Sequence, residues 1–439
     1  MADSQTALLE SVSDLGGLAH EVFVGEIVPS ARWESVTSQI FASAESGSDY
    51  TYEGTKMVGA TDLYRPHGAM GTDGKLPDSD VRPAQNWETT PVRRYIRRAV
   101  DNVVEARVGG RGAFEELADR IVTQLWGAWQ LMEIHHAVGG ADASLCLASS
   151  RTSSTVWVAK DGYGHTGSDP LTLLDEGMVI CWHDSSAANA VAGAGRISSI
   201  NYGTSAVTMD SAATWEPSAQ VAAGDIICKA TTNDITTDYF TSERNLAPNG
   251  TRTIVDPDAS ATTVFNLSES TYPRWQPYRQ ASSTFDHIEV TEFFQKLRAK
   301  SSMPVTPDTH TAVMNGAPYA ELARTLIGFQ QQQQLGKELE GGYQTIRVAG
   351  MDFAVDDYQV HDELILYCNE DVKYVNLVEQ GYFDEDGGMY SRLADFDGKE
   401  MFARDAMNYF APRRNRHAAL TGITLSNVTA ADYSPVPNY

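Results

Sequence analysis

Long apolar runs are missing from this sequence. No stretch of 18 apolar residues occurs, which is about the length that a helix needs to cross a bilayer. Residues 1–6 also lack the basic start and apolar core of a signal peptide. Hydrophobic residues make up 42% and charged residues 21% of the 439 positions, which is typical of a folded globular protein. We therefore predict a protein of two or three domains that folds in a cytoplasm and has no membrane partner.

Paired cysteines and catalytic motifs are also missing. The four cysteines, Cys146, Cys181, Cys228 and Cys368, lie far apart and form no CxxC pair. Buried reduced thiols are therefore the favoured interpretation, with structural disulfides as the alternative. No Gly-x-Ser-x-Gly elbow supplies a nucleophile. We predict no catalytic residue and no cofactor.

Metal-binding motifs are incomplete. Glu133-Ile-His-His136 lacks the spacing of HExxH, and we predict that its two histidines serve as cations at the end of a helix. The acidic segments 384–388 and 395–398 do not continue into the ligand order of a calcium loop, so turns are favoured over calcium sites. We therefore predict no metal site.

Basic residues are scarce. The 33 lysines and arginines stand against 58 acids, a net charge of −25 that disfavours sequence-specific DNA binding. Acids concentrate between Asp352 and Glu400, where we predict a solvated acidic surface. Two dense basic clusters remain, and we predict that they form salt bridges between subunits, with solvated surface arginines as the alternative. Their members are Arg93, Arg94, Arg97, Arg98, Arg413, Arg414 and Arg416.

The most unusual feature that is present is a long glycine- and proline-rich excursion over residues 46–90. Loops beyond about 12–15 residues are uncommon inside compact domains and are usually functional or disordered. Its sparse apolar residues are spaced as in two strands of a projecting hairpin that cannot bury itself on its own protomer. We therefore predict contacts with a neighbouring subunit from Tyr50, Tyr52, Met57, Leu63 and Tyr64.

Periodicity predicts the elements around the excursion. An amphipathic helix is expected over residues 4–28, and a helix with an apolar stripe over 113–136, which ends at Gly139-Gly140. Between these helices, a strand is predicted over 90–100, and its alternation places Arg94 on one face and Arg93 on the other. Short strands with turn residues between them dominate 171–230, which predicts a small barrel or sandwich.

Downstream motifs complete the pattern. Thr309-His-Thr-Ala-Val-Met-Asn315 predicts a strand, and the segment 317–327 a helix that begins near Pro318. Further strands are predicted at 344–348, 351–355, 363–367, 371–378, 401–410 and 418–425. This order of elements resembles the major capsid proteins of tailed bacteriophages, the Hong Kong 97 fold. The strand ending in Met-Asn, the arginine strand and the segments 350–355, 400–410 and 418–423 carry the resemblance.

The resemblance implies an α+β Hong Kong 97-like fold with an inserted all-β domain. It implies an N-terminal arm over 1–45, an extended loop over 46–90 and a peripheral domain over 91–165 with a spine helix at 113–136. An inserted β domain is expected over 166–235, an axial domain over 236–399 and further peripheral strands over 400–439. Some relatives cross-link a loop lysine to an asparagine, but no motif here supports that chemistry for Lys56 or Lys75.

The same resemblance implies a function. The chain would form hexamers and pentamers of an icosahedral head shell around double-stranded DNA, assembled in a bacterial cytoplasm and carried in the virion. Scaffolding, portal and decoration proteins would be its further partners. Two alternatives remain open: an intracellular enzyme with a β-rich substrate domain around His183 or His287, and a tail-tube or surface-array protein.

Overall fold

The described part of the chain is a mixed α and β structure with several separate sheets. The computed structural model describes residues 35–42, 44–46, 50–53, 55–61, 85–101, 111–153, 155–166, 168–184, 191–210, 221–231, 242–259, 261–327, 347–382, 390–392, 398–426 and 428. The predicted helix over 4–28, the acidic segment 384–388 and the residues Leu63 and Tyr64 lie outside these ranges.

The elements are numbered in chain order. The helices are α1 (Val36–Ala42), α2 (Arg111–Val138), α3 (Thr251–Ile254), α4 (His287–Ser301) and α5 (Gly316–Ile327). The strands are β1 (Glu45–Ser46), β2 (Tyr50–Glu53), β3 (Lys56–Thr61), β4 (Gln85–Thr89), β5 (Val92–Asp101), β6 (Ser144–Arg151), β7 (Val156–Lys160), β8 (Val179–His183), β9 (Val191–Asn201), β10 (Ala206–Met209), β11 (Ile226–Lys229), β12 (Thr263–Val264), β13 (Leu267–Ser268), β14 (Tyr278–Ala281), β15 (His310–Met314), β16 (Arg347–Val348), β17 (Met351–Val355), β18 (Leu364–Cys368), β19 (Lys373–Tyr382), β20 (Tyr390–Arg392), β21 (Gly398–Phe410) and β22 (Ala418–Thr421).

Helix α2 agrees closely with the helix predicted over 113–136. Leu125 and Trp129 are buried along one side, while Leu131 is exposed on the other. The helix ends at the predicted Gly139, whose amide donates to the His135 carbonyl at 2.8 Å. The histidines at this end do not have the predicted cationic role. Burial lowers the pKa of both His135 and His136, so both rings are neutral near pH 7.

Strands β2, β3 and β4 form an antiparallel sheet, which we call the excursion sheet. The predicted hairpin is present in its β2–β3 pair, where Tyr52 faces Met57. The prediction that this hairpin cannot be buried on its own protomer is wrong for strand β3. Its Met57 and Val58 are buried within the chain, and Met57 belongs to the main hydrophobic core together with Trp87 of β4.

A second sheet, here called the arginine sheet, joins distant parts of the chain. Its order is β1-β19-β21-β20, and β5 also pairs with β21. Strands β19 and β20 pair with one edge of β21, and β5 pairs with the opposite edge. Arg94 lies opposite Asp405 in the β5–β21 register. The predicted alternation of β5 is confirmed from Arg93 to Tyr95, because Arg94 is buried and its two neighbours are exposed.

Six strands close into a barrel in the order β10-β7-β6-β11-β8-β9. Trp157 and Trp182 are fully buried in its core. Strands β6 and β7 precede residue 166, so the barrel begins before the β domain expected from the sequence. The four cysteines of the chain are buried and free, as the spacing predicted.

Strands β12 and β13 form a two-stranded sheet, and a further sheet has six strands in the order β14-β22-β18-β15-β17-β16. Helix α4 covers it with Phe293 and Phe294, and Asp286 caps that helix by accepting from the Glu289 amide at 2.8 Å. Strand β22 lies in this sheet although the sequence placed it with the peripheral strands, and β19 lies in the arginine sheet although the sequence placed it in the axial domain. Strand pairing over long distances in sequence decides both positions.

Candidate assembly surface

The root of the excursion is fixed to the body of the chain. Trp87 of β4 stacks on Phe410 of β21 with ring centroids 4.2 Å apart. The Thr61 hydroxyl donates to the Pro412 carbonyl at 2.9 Å, and the Glu88 amide donates to the Phe265 carbonyl at 2.9 Å. Aromatic stacking and buried hydrogen bonds of this kind hold an element in one orientation. The described part of the excursion is therefore packed onto the body of the chain.

Two residues that flank residues 62–84 lie at one end of the excursion sheet. Thr61 and Gln85 are cross-strand partners at the end of the excursion sheet. At its opposite end, Tyr52 is 49% exposed. Lys56 is also exposed and pairs with Glu88 at 2.7 Å, and the pKa of Lys56 is raised by its hydrogen bond to that carboxylate. The predicted contact residue Tyr52 is thus placed where a neighbour can reach it.

Strand β5 presents a second exposed surface. Arg93 is exposed, and Tyr95 is 55% exposed. One edge of β5 pairs with β21, and among the described ranges no strand pairs with its other edge. An unpaired strand edge with exposed arginine and tyrosine is a surface that suits a protein partner, since these residue types are enriched at interfaces.

Arg94 does not belong to this surface, which corrects its predicted role between subunits. Its Nε donates to Asp405 Oδ1 at 2.9 Å, its Nη2 contacts the second oxygen of the same carboxylate, and Glu133 lies 3.6 Å away. Its guanidinium also lies 5.1 Å from the Trp129 ring centroid. Burial acts to lower the pKa of Arg94, but Asp405 and Glu133 more than offset it, and the net shift is upward.

Arg414 is likewise an internal residue. Its Nη1 donates to Glu269 Oε1 at 2.6 Å and its Nε to the Ile254 carbonyl at 2.7 Å. Burial lowers the pKa of Arg414 to about 10, and Glu269 opposes that shift. The side chain is fully buried, so the prediction of a contact between subunits is wrong for Arg414.

Arg413 and Arg416 take an intermediate position. Both pair with the buried Asp371, at 2.7 Å and 2.9 Å respectively. Arg413 keeps 48% of its side chain exposed and Arg416 20%. Both arginines therefore share one carboxylate within the chain, and their contact with a neighbouring subunit stays a prediction.

Three predicted contact residues are described only by their backbone. Tyr50 pairs with Gly59, Arg97 with Phe402 and Arg98 with Met401. Sequence reasoning did not name Tyr95 as a contact residue, although the alternation of β5 placed it on the face of Arg93. It also missed Asp405, and no local signal could identify that partner because it lies more than 300 positions away.

His183, one of the two histidines suggested for an enzyme, does not line an open site. His183 is 1% exposed, and its Nε2 lies 2.7 Å from the Ser242 hydroxyl. A substrate cannot reach this ring in the described structure. Within the described ranges, no group of three metal-ligating side chains is found, and no helix is long and apolar enough to span a membrane.

Comparisons with known proteins give structural likeness only. No protein-family profile matches the sequence, and no curated protein is significantly similar to it. The chain is similar to a chain of the cyanophage A-1(L) capsid asymmetric unit, with 10% identity over 89% of this chain and 93% of that one and a TM-score of 0.46. For the capsid of cyanophage P-SCSP1u the identity is 10%, the coverage 97% and 99% and the TM-score 0.40. For the capsid of a native GTA particle the identity is 8% over 88% of this chain and 91% of that one, with a TM-score of 0.40.

Proposed function

We propose that this chain is the major capsid protein of a tailed double-stranded DNA phage. It assembles as hexamers and pentamers into the icosahedral head shell, and it has no enzymatic role. The excursion carries this proposal: its root is fixed on the chain's own body, while Tyr52 is exposed and Thr61 pairs with Gln85 across the sheet. Such an element suits a contact with a second copy of the chain.

A rigid root matters because binding must offset the loss of conformational freedom. When the base of a reaching element is already ordered, a neighbour does not have to order it, and more of the contact energy remains for association. The exposed residues of β5 add a second contact surface on the same protomer. Many individually weak contacts of this kind add together in a closed symmetric shell.

The domain assignment that accompanies this proposal follows the resemblance. Helix α2 and the arginine sheet correspond to the peripheral domain, with α2 as the spine helix. The six-stranded sheet with α4 and α5 corresponds to the axial domain, and the barrel to an inserted all-β domain. The remaining parts of the proposal rest on the resemblance alone: a place in the virion, assembly in a bacterial cytoplasm, scaffolding, portal and decoration partners, and proximity to packaged DNA.

The test replaces residues 62–84 by an Asn-Gly turn, because Thr61 and Gln85 are already cross-strand partners. We expect a folded protein with an unchanged circular dichroism spectrum that forms no shells in negative-stain electron microscopy. The unaltered chain should form closed spherical particles of megadalton mass on sizing.

Two comparisons make the test specific. A Gly/Ser linker of the same length in place of 62–84 should also prevent assembly, because the side chains and not the length make the contact. Arg93→Glu on the exposed face of β5 should reduce shell formation without changing the melting temperature. Intact shells from the turn variant would contradict the proposal, and tubes, sheets or a discrete small oligomer from the unaltered chain would favour the alternatives.

A further inference from the structure

Two cysteines of the barrel face each other on neighbouring strands. Strands β8 and β11 pair antiparallel, and Cys181 lies directly opposite Cys228 in their register. Opposed residues of an antiparallel pair project their side chains to the same face of the sheet. The other two cysteines have no such partner, since Cys146 lies opposite an isoleucine and Cys368 opposite a histidine. Strand pairing therefore brings together one pair of thiols in this chain.

The spacing of the two strands fits a disulfide. The Ala230 amide donates to the Val179 carbonyl at 3.0 Å, and these two residues continue the register of the cysteines two positions further along. Hydrogen-bonded and non-hydrogen-bonded pairs alternate along an antiparallel ladder, so the two cysteines also form a hydrogen-bonded pair. The Cα atoms of such a pair are about 5.5 Å apart, within the range of about 4.4–6.8 Å that disulfides span. A bond between the two sulfurs thus fits the register as it stands.

The pair lies on the outer face of the barrel wall. Cys181 packs in a small cluster with Ala194 and Ala230, and this cluster is separate from the barrel core. The next residue of β8, Trp182, belongs to that core, because successive residues of a strand point to opposite faces. A bond between the cysteines would therefore leave the packing inside the barrel unchanged.

Other parts of the chain cover this outer face. The Cys228 sulfur lies 3.9 Å from the Asp142 carbonyl, in the turn that follows α2. Beside it, the Glu243 amide donates to the Lys229 carbonyl at 3.0 Å. Both thiols are fully buried. The pair therefore lies where the barrel wall meets the end of α2 and the segment that begins at residue 242.

Burial controls how quickly these thiols react. It raises the pKa of Cys181 to about 12, and Glu243 adds to that shift. The pKa of Cys228 is raised as well, by burial and by Asp142. The thiolate is the form that reacts with oxidants, so both cysteines react slowly in the folded chain. The same cover shields a finished disulfide from reductants in solution.

We propose that Cys181 and Cys228 form a disulfide once the chain leaves a reducing environment. Hydrogen peroxide is the oxidant: one thiol reduces it to water and becomes a sulfenic acid, and the second thiol attacks that sulfur and releases another water. Two thiols and one peroxide thus give one disulfide and two waters. Cytosolic thiols are kept reduced, so the bond forms after release from the cell. This timing rests on the proposed function, whereas the bond itself concerns the single chain.

The disulfide stabilises the barrel. It ties β8 to β11, which are neighbours in the barrel order, and it closes a loop of the chain between residues 181 and 228. Closing that loop removes conformational freedom from the unfolded chain, which favours the folded state. We therefore expect the oxidised chain to unfold at a higher urea concentration than the reduced one.

The experiment oxidises the full, unassembled chain with hydrogen peroxide, blocks the remaining thiols with iodoacetamide in urea, and maps tryptic peptides without reduction. We expect the four free thiols to fall to two. Trypsin cuts after Arg196, between the two cysteines, so the disulfide joins two separate peptides that together have lost two hydrogens. Cys146 and Cys368 should be alkylated. The oxidation is repeated during refolding from urea in a mixture of oxidised and reduced glutathione, where the thiols are accessible and can exchange partners.

Two variants make the test specific. Cys181→Ser removes one partner and should show neither the link nor the rise in urea midpoint on oxidation. Cys146→Ser removes a thiol from the same barrel but not from the pair, and it should keep both.

Four alkylated thiols after both oxidations would overturn the proposal, and so would links that join Cys146 or Cys368 as often as the pair. An unchanged midpoint in the linked chain would overturn the stabilising role. The peptide map of the unaltered chain decides by itself if a variant does not fold. A chain that forms no shells but shows the link would refute only the proposed function.

Discussion

The adjacent residues Arg93 and Arg94 allow a matched test of the arginine sheet. Both lie on β5, but Arg93 is exposed whereas Arg94 is buried against Asp405. The perturbation is Asp405→Ala, which leaves the Arg94 guanidinium buried without its closest carboxylate. Arg93→Ala is the control, because it removes an arginine from the same strand without disturbing a buried contact.

The magnitude follows from the contacts that remain. Breaking a buried ion pair by removing one partner costs roughly 3–5 kcal/mol. Glu133 Oε1 stays 3.6 Å from Arg94, and the Trp129 ring stays beneath the guanidinium. These groups partly compensate the charge, so we expect the lower end, about 3 kcal/mol, for Asp405→Ala. The control should change stability by less than about 0.5 kcal/mol, as is usual for exposed positions.

Urea unfolding of the unassembled chain, followed by tryptophan fluorescence, measures this difference through the shift in midpoint. The double variant Arg94→Met with Asp405→Leu should recover most of the loss, because it removes both charges together and fills a similar volume. A cost for Asp405→Ala no larger than that of Arg93→Ala would refute the reasoning. A double variant less stable than Asp405→Ala would refute it as well.

Two further predictions concern other parts of the chain. Gly59→Ala should destabilise the excursion sheet by about 1–3 kcal/mol, because a Cβ there would lie 2.3 Å from the Trp87 ring. Limited proteolysis measures this: cleavage between Thr61 and Gln85 should be faster in the variant, and an unchanged cleavage rate would contradict the prediction. His417 should make stability fall as the pH drops from 7 to 5. Burial lowers its folded-state pKa to about 3, so only the unfolded chain takes up the proton below the ordinary pKa of 6.5, at a cost of about 2 kcal/mol by pH 5. Unfolding midpoints at both pH values test this, and the pH effect should shrink in His417→Gln; an equal effect in that variant would exclude His417 as its source.

Local patterns were sufficient for many elements of the fold. The apolar stripe and Gly139-Gly140 predicted helix α2 nearly to its ends, and alternation in β5 predicted which of its arginines share a face. Strand β17 occurs at the predicted residues 351–355. A helix is indicated by apolar residues spaced over one or two helical turns, and a strand by side chains that alternate every second residue. Both patterns can be recognised within a short stretch of sequence.

Which face of an element is buried was not predictable in the same way. The alternation of β5 separates Arg93 from Arg94, but only the pairing with β21 and the position of α2 decide that Arg94 points inward. In the same way, the two histidines at the end of α2 are suitable cations by sequence, yet the barrel covers them and burial makes them neutral. The cost of desolvating a charge depends on what packs over it.

The sequence alone determined the order of elements, the long excursion and the position of the arginine strand, because these follow from local composition and periodicity. Only the tertiary structure decided that the excursion's base is buried by Trp87 on Phe410, that Arg94 and Arg414 are internal, and that β19 and β22 belong to different sheets. The physical reason is that burial and strand pairing join residues hundreds of positions apart. Their free energies depend on that three-dimensional neighbourhood, which no local pattern contains.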